Sequence, residues 1–260
     1  NFKVASLKFA QSLDLSEQVG DERGKFLALN QLAGIDCNDG DFVSAENRYL
    51  QSLALARSFN DRFNEGIVLN NLASVYHPRK EYEKEAEVIQ ASLTICREIG
   101  DQEGVSVALN NLAELTMVQG DYHQAIDYSQ QALEIARDID EDWTIIAIYD
   151  ILGECYLFLG DSSRAHEYFI QAIQNAYKIN SWDLLTRAIV NVAILYKLQD
   201  DFEAAKALLQ AALSHPGILY EYGLKATALL NEIGGDIPQD KQEGLLWDVL
   251  ERYFNLKPDS

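Results

Sequence analysis

The chain has 260 residues, 48% of them hydrophobic, with a formal net charge of −20. That supplies a large core, while the acidic balance repels phosphate backbones and argues against nucleic acid. No apolar run approaches the roughly 20 residues of a membrane span, and three cysteines, an odd number, argue against a disulfide framework.

In chain order, the N-terminal segment 1–20 opens directly into an amphipathic pattern, with no signal peptide, and reads as the second helix of a preceding unit in a fragment or processed chain. A block then returns every 40 residues. Leu29-Asn30-Gln31-Leu32-Ala33 recurs at Leu69-Asn70-Asn71-Leu72-Ala73 and Leu109-Asn110-Asn111-Leu112-Ala113. It returns degraded at Tyr149-Asp150-Ile151-Leu152-Gly153 and Ile189-Val190-Asn191-Val192-Ala193. A fixed period of this size marks a stacked repeat protein, and such arrays work mostly by presenting a surface to a partner.

Turn signals alternate at half that period. One set is Gly20-Asp21, Asn60-Asp61, Gly100-Asp101, Asp140-Glu141 and Asn180-Ser181; the other is Gly40-Asp41, Lys80-Glu81, Gly120-Asp121, Gly160-Asp161 and Asp200-Asp201. Gly or Asn accepts the left-handed conformation that ends a helix, and the following Asp or Ser caps the next one, which predicts helices of about 16–18 residues joined by tight turns. Residues 21–214 are therefore an array of five helix pairs. Pro78, in Tyr76-His77-Pro78-Arg79-Lys80, must end or kink its helix, and Glu85 stands where Ala45, Ala125, Ala165 and Ala205 stand elsewhere; this departure reads as tolerated drift on a convex edge, with a local interaction loop as the alternative. After Leu213 the register is lost at His215-Pro216-Gly217. Residues 215–260 read as a cap, with helices around 218–233 and 240–255.

Small residues at Ala33, Ala73, Ala113, Gly153 and Ala193 let paired helices approach, and large ones fill the gaps. Together with the columns through Leu29, Leu32, Ala45, Tyr49 and Ser52, this resembles the tetratricopeptide repeat, over about residues 1–235. The unit is 40 residues long, where the family usually has about 34. Long repeats of this kind are similar to those of kinesin light chains, of STAND-type signalling ATPases and of proteins that pair them with a caspase-like domain. The resemblance implies an all-α, right-handed α-α superhelical solenoid of about five helix pairs with a C-terminal helical cap.

No residue set points to catalysis or to a cofactor. The Gly20–Lys25 stretch fails as a phosphate loop, because its spacing is short and Phe26 stands where Ser or Thr would bind magnesium. His77, His123, His166 and His215 never fall at metal-ligand spacing. Cys96 and Cys155 fall in buried columns and Cys37 at a helix end, as small hydrophobes in a reducing, cytoplasmic setting.

The asparagines stand out, because a mid-helix Asn needs a reason. Asn30, Asn70 and Asn110 share a column continued by Asp150; Gln31, Asn71, Asn111 and Asn191 share the next. At roughly 10 Å per layer they form a polar ladder about 30–40 Å long. Primary amides can pair with a peptide backbone whatever its side chains, and in the resembled family these positions line the peptide groove. The candidate site is thus Asn30, Asn70, Asn71, Asn110, Asn111, Glu114, Asp150, Glu154 and Asn191, and the alternative, that the columns are architectural, stays open. The Lys/Arg clamp for C-terminal carboxylates found in chaperone-binding relatives is absent. The partner is then a peptide or protein segment with basic or neutral side chains, and the chain a non-catalytic sensor, regulatory or adaptor part of a larger signalling protein. The alternative is an assembly scaffold that self-associates or uses its convex face; the oligomeric state is left open.

Overall fold

The computed structural model describes residues 2–216, 218, 220–238 and 243–257. Among these there are thirteen α-helices and no strand. The chain divides into two compact units, residues 1–119 and 120–260, and each is described by itself.

The first unit contains α1 (Phe2–Val19), α2 (Glu22–Asn38), α3 (Phe42–Ser58), α4 (Arg62–Tyr76), α5 (Tyr82–Ile99) and α6 (Gln102–Val118). Each helix packs on the next, and α2, α4 and α6 also pack side by side. The second unit contains α7 (Tyr122–Asp138), α8 (Asp142–Phe158), α9 (Ser162–Lys178), α10 (Trp182–Leu198), α11 (Phe202–Ser214), α12 (Tyr220–Glu232) and α13 (Glu243–Phe254). Here α8, α10 and α12 pack side by side, and α13 closes on α11.

All ten turn positions have left-handed backbone. Five are glycines, and Asn60, Lys80, Asp140, Asn180 and Asp200 adopt φ between 54° and 61° without that freedom. An L-residue there costs about 1–2 kcal/mol, so the period holds even where the favoured residue is lost. Eight of the following residues accept the expected cap bond, as Asp61 does from the Asn64 N–H at 3.1 Å. Two do not. The Ser181 hydroxyl donates to Asp183 Oδ1 at 2.6 Å instead, and Glu81 turns to Arg79 and Lys84.

Pro78 ends α4 at Tyr76, so α4 has 15 residues where α2 and α6 have 17. Likewise His215, which precedes Pro216, is extended (φ −85°, ψ 133°), because proline disfavours helical backbone in the residue before it. That stops α11 at 13 residues against 17 for α9 and brings α12 onto α10 early. Gly217 and residues 239–242, which the sequence reading placed in the lost register and at the start of the last helix, lie outside the described residues.

The core follows the repeat columns. Leu32, Leu72, Leu112, Leu152 and Val192 are all buried, as are Ala45, Ala125, Ala165 and Ala205. Cys96 and Cys155 are buried and Cys37 half-buried. Burial pushes the Cys155 thiol up to about 12, so it stays protonated and unreactive. Gly153 allows a close approach between α8 and α9: a Cβ there would lie 2.4 Å from the Phe169 ring. No described helix is long and apolar enough to cross a membrane.

Candidate functional site

On α4 and α6 the Asn pairs, and on α2 Asn30-Gln31, lie between the two buried leucines of each block, at the edge of the apolar stripe. Asn30, Asn70, Asn71, Asn110 and Asn111 are half-buried, and Glu114, one turn on, is exposed. They are cross-linked in one sense only. Asn111 Nδ2 donates to Asn70 Oδ1 at 2.9 Å, and Asn71 Nδ2 approaches Asn30 Oδ1 at 3.5 Å, the limit of a useful bond. The second column donates and the first accepts, from the preceding layer. Asn110 Oδ1 has no partner; in sequence the donor column is interrupted after Asn111, since Ile151 stands 40 residues on. An amide carries two N–H donors and an acceptor with two lone pairs, so one link per pair leaves most of that capacity unspent.

Two clefts flank Asn70 and Asn71 in the furrow between α4 and α6. One, of about 290 Å³, is lined by Phe63, Ile67 and Val107 over the backbone of Gly66 and Gly104. Its floor is Cys96: a Cβ at Gly104 would lie 2.5 Å from the thiol sulfur, and one at Gly66 3.3 Å away. The other, of about 330 Å³, is lined by Ser74, His77, Glu85, Asn111 and Glu114. Here the structure favours the interaction-loop reading of the Pro78 departure over convex-edge drift, because His77, Pro78 and Glu85 line a cleft together with the Asn columns. The carboxylate of Glu85 is 4% exposed, with Oε1 2.8 Å from His77 Nδ1 and Oε2 without a partner. The loop after α4 is pinned by Glu46, which accepts from the Tyr76 hydroxyl at 3.1 Å and from Arg79 Nη1 at 2.5 Å. Burial, aided by the Glu46 charge, pushes the Tyr76 phenol up to about 12, which keeps it a donor.

In the second unit the same columns are filled differently. Asp150 and Asn191 are buried, at 3% and 1% exposure. Asp150 Oδ2 accepts from Arg187 Nε at 2.6 Å, and its Oδ1 has no partner. Asn191 Nδ2 lies 3.3 Å from Glu154 Oε1, and Lys225 Nζ on α12 lies 3.3 Å from Asn191 Oδ1. Burial raises the Asp150 carboxyl above its ordinary range against the pull of Arg187, and raises Glu154 against that of Lys225; desolvation outweighs the nearby cations.

The sequence reading named neither Glu85, Arg187 nor Lys225 for this face. The signal for two of them was there: Glu85 interrupts an Ala column, and Arg187 ends a column of Leu27, Ile67, Val107 and Ala147. Lys225 could not be found, since its place depends on the shortening of α11. Among the described residues no group of three His, Cys, Asp or Glu is placed to hold a metal ion.

No curated protein matches the sequence. Several solved structures share the fold. BtubC (BKLC) from P. vanneervenii is 21% identical over 93% of this chain and 96% of that one, with a TM-score of 0.66. A Rap protein complexed with competence and sporulation factor is 18% identical over 90% and 70%, with 0.68. A STAND protein with a tetratricopeptide repeat sensor from Pyrococcus horikoshii is 19% identical over 85% of this chain and 39% of that one, with 0.63. The family model for the tetratricopeptide repeat matches residues 25–98 and 104–178, and with the columns, turns and helix pairs in register the chain belongs to the tetratricopeptide repeat family.

Proposed function

We propose that the face formed by α2, α4 and α6 binds an extended peptide or protein segment, and that the chain is the sensing or adaptor part of a regulatory protein. The observation that carries this reading is the amide ladder. Asn71 is linked to Asn30 and Asn111 to Asn70, and these four and Asn110 are half-exposed and rich in unspent donors and acceptors. A peptide backbone offers the complementary groups at every residue. Of the nine candidate residues, we assign ligand contact to these five and to Glu114. Asp150, Glu154 and Asn191 are assigned to holding Arg187 and Lys225 within the second unit, since their polar atoms are buried and largely engaged. The acidic surface and the absence of Lys or Arg from either furrow cleft favour a neutral or basic ligand. The Rap protein complexed with a factor and the STAND sensor support a regulatory setting.

The test is a lysate pull-down comparing wild type with Asn70→Ala/Asn110→Ala of checked helicity. Loss of partners in the double variant is expected, and equal capture by both would refute the ladder as a binding element. A second reading, self-association, is favoured by Val4, Leu7, Leu15 and Val19, which leave α1 with apolar side chains 48–67% exposed. Light scattering across a concentration series distinguishes it, since a peptide receptor without a self-interface keeps one mass.

A further inference from the structure

We propose that the furrow between α4 and α6 reads two side chains of its peptide, an apolar one beside Phe63 and a cationic one beside Glu85 and Glu114, four residues apart in an extended chain. This rests on the peptide-binding reading above and adds to it a sequence requirement on the ligand.

The apolar half is a slot that the preceding layer only narrows: the equivalent cleft there, lined by Arg23, Phe26, Leu27 and Asn64, measures about 160 Å³ against about 290 Å³ here. One layer earlier Phe26 occupies the column of Gly66, and Asn64 that of Gly104. With glycine at both places the buried Cys96 sulfur becomes the floor, walled by the half-buried Ile67 and Val107, with Phe63 at the rim, 53% exposed. An exposed aromatic over an open apolar floor is surface that a ligand side chain would remove from water. Of the two carboxylates at the rim, Asp101 is committed to capping the Gly104 N–H at 3.1 Å.

The cationic half stands on Glu85. Every other pair places a fully buried alanine at this position, at 45, 125, 165 and 205. A buried carboxylate there, with one oxygen idle, costs free energy that an alanine would not. Local costs of this kind, in a sequence otherwise consistent with its fold, mark functional positions. Glu114 adds a second carboxylate on the facing helix, and no Lys or Arg lines the cleft. A guanidinium or ammonium group supplies a partner for the Glu85 oxygen that His77 leaves idle.

The spacing follows from helix geometry. From Ile67 to Ser74 on α4, and from Gly104 to Asn111 on α6, the clefts are seven residues apart, about 10 Å at 1.5 Å per residue. In an extended chain side chains on one side recur every second residue, at about 6.6 Å and then about 13 Å. Positions i and i+4 therefore span the two clefts once the side chains lean inward, while the intervening backbone lies over Asn70, Asn71 and Asn111.

The test uses the peptide acetyl-Gly-Leu-Ala-Ala-Ala-Arg-Gly-amide, titrated into the ¹⁵N-labelled protein and followed by amide shifts. Two control peptides carry citrulline for Arg and serine for Leu. The parent is expected to shift amides of residues 63–78 and 101–114, and each control to bind at least tenfold more weakly. Glu85→Ala, which restores the residue of the column, combined with Glu114→Gln, should abolish the preference for Arg over citrulline. Phe63→Ser should abolish the preference for Leu over Ser. Peptides that bind in the furrow and weaken with Asn70→Ala/Asn110→Ala, but without either preference, overturn this inference and leave the amide reading intact. Absence of any shift in this region up to millimolar peptide overturns both.

Discussion

Replacing Gly153 by Ala sets two effects of known sign against each other. In an isolated helix the change stabilises by about 1 kcal/mol, and Ala is the residue of this column at 33, 73, 113 and 193. In this helix the new Cβ would lie 2.4, 2.5 and 2.9 Å from three ring carbons of Phe169, where carbon contacts settle at about 3.5–4.0 Å. Phe169 has no solvent exposure, so the ring can yield only by pushing its neighbours. Overpacking of this order costs about 1–3 kcal/mol, which leaves a net loss of up to about 2 kcal/mol after the propensity gain. Urea unfolding followed by far-UV circular dichroism reads it as a lowered midpoint. The partner substitution is Phe169→Leu, because Leu209 follows Ala193 at the same interval; the double variant should be more stable than the sum of the two singles predicts, with a coupling of at least about 1 kcal/mol. A Gly153→Ala protein more stable than wild type would refute the packing argument.

Lys80, held at φ 57°, should gain up to about 1 kcal/mol on replacement by glycine, read as a raised unfolding midpoint; an unchanged midpoint counts against strain at this turn. Asn111→Ala should cost about 1 kcal/mol by removing the 2.9 Å bond to Asn70. Asn111→Asp should cost more, because it sets a carboxylate oxygen against the Asn70 acceptor, and the reverse order would contradict the assigned direction of the bond. Asp150 titrates above its ordinary value through burial, so between its ordinary and raised values the folded state binds more protons than the unfolded state, and stability from this group falls as pH rises through that window. The difference in stability between Asp150→Asn and wild type should therefore grow in the variant's favour with rising pH from the ordinary carboxylate range upward. Glu65 has the opposite sign: bonds from Arg57 and Arg62 overcome its burial and hold it low, so its contribution is present above the ordinary carboxylate value and is lost as pH falls through the lowered one. Glu65→Gln should accordingly shed acid sensitivity.

The turns were legible because they repeat. All ten adopt the backbone that the sequence period assigns them, including Lys80, Asp140 and Asp200. Individual caps were less legible, since Ser181 and Glu81 had nearby partners that competed for their side chains. Proline was legible wherever it acted, at Pro78 and at Pro216, because its restriction is local. The Asn columns could be seen in the sequence, but not which column donates: that depends on the stagger between layers, which sets a bond 41 residues long, from Asn111 back to Asn70, rather than one within a row.

The two units treat the same columns in contrary ways, and substitutions one helical turn away explain the difference. Position 67 is Ile and position 107 is Val, so the asparagines of the first unit have no charge beside them and bond to one another. Position 187 of the same column is Arg, one turn before Asn191. Its guanidinium takes the Asp150 carboxylate at 2.6 Å, and the early arrival of α12 adds Lys225 over Asn191. An acidic column beside a resident cation has its charge balanced by its own protein; an amide column beside apolar residues keeps donors and acceptors to spare. The ligand reading of the first unit and the structural reading of the second therefore have one physical cause, and Arg187→Leu tests it. That change gives the second unit the apolar neighbour of the first while leaving Asp150 buried without its cation. The expected cost is about 3–5 kcal/mol, largely recovered by Arg187→Leu/Asp150→Asn, in which a neutral amide replaces the stranded charge. Failure of the second substitution to restore the unfolding midpoint would show that Arg187 is held by something other than Asp150.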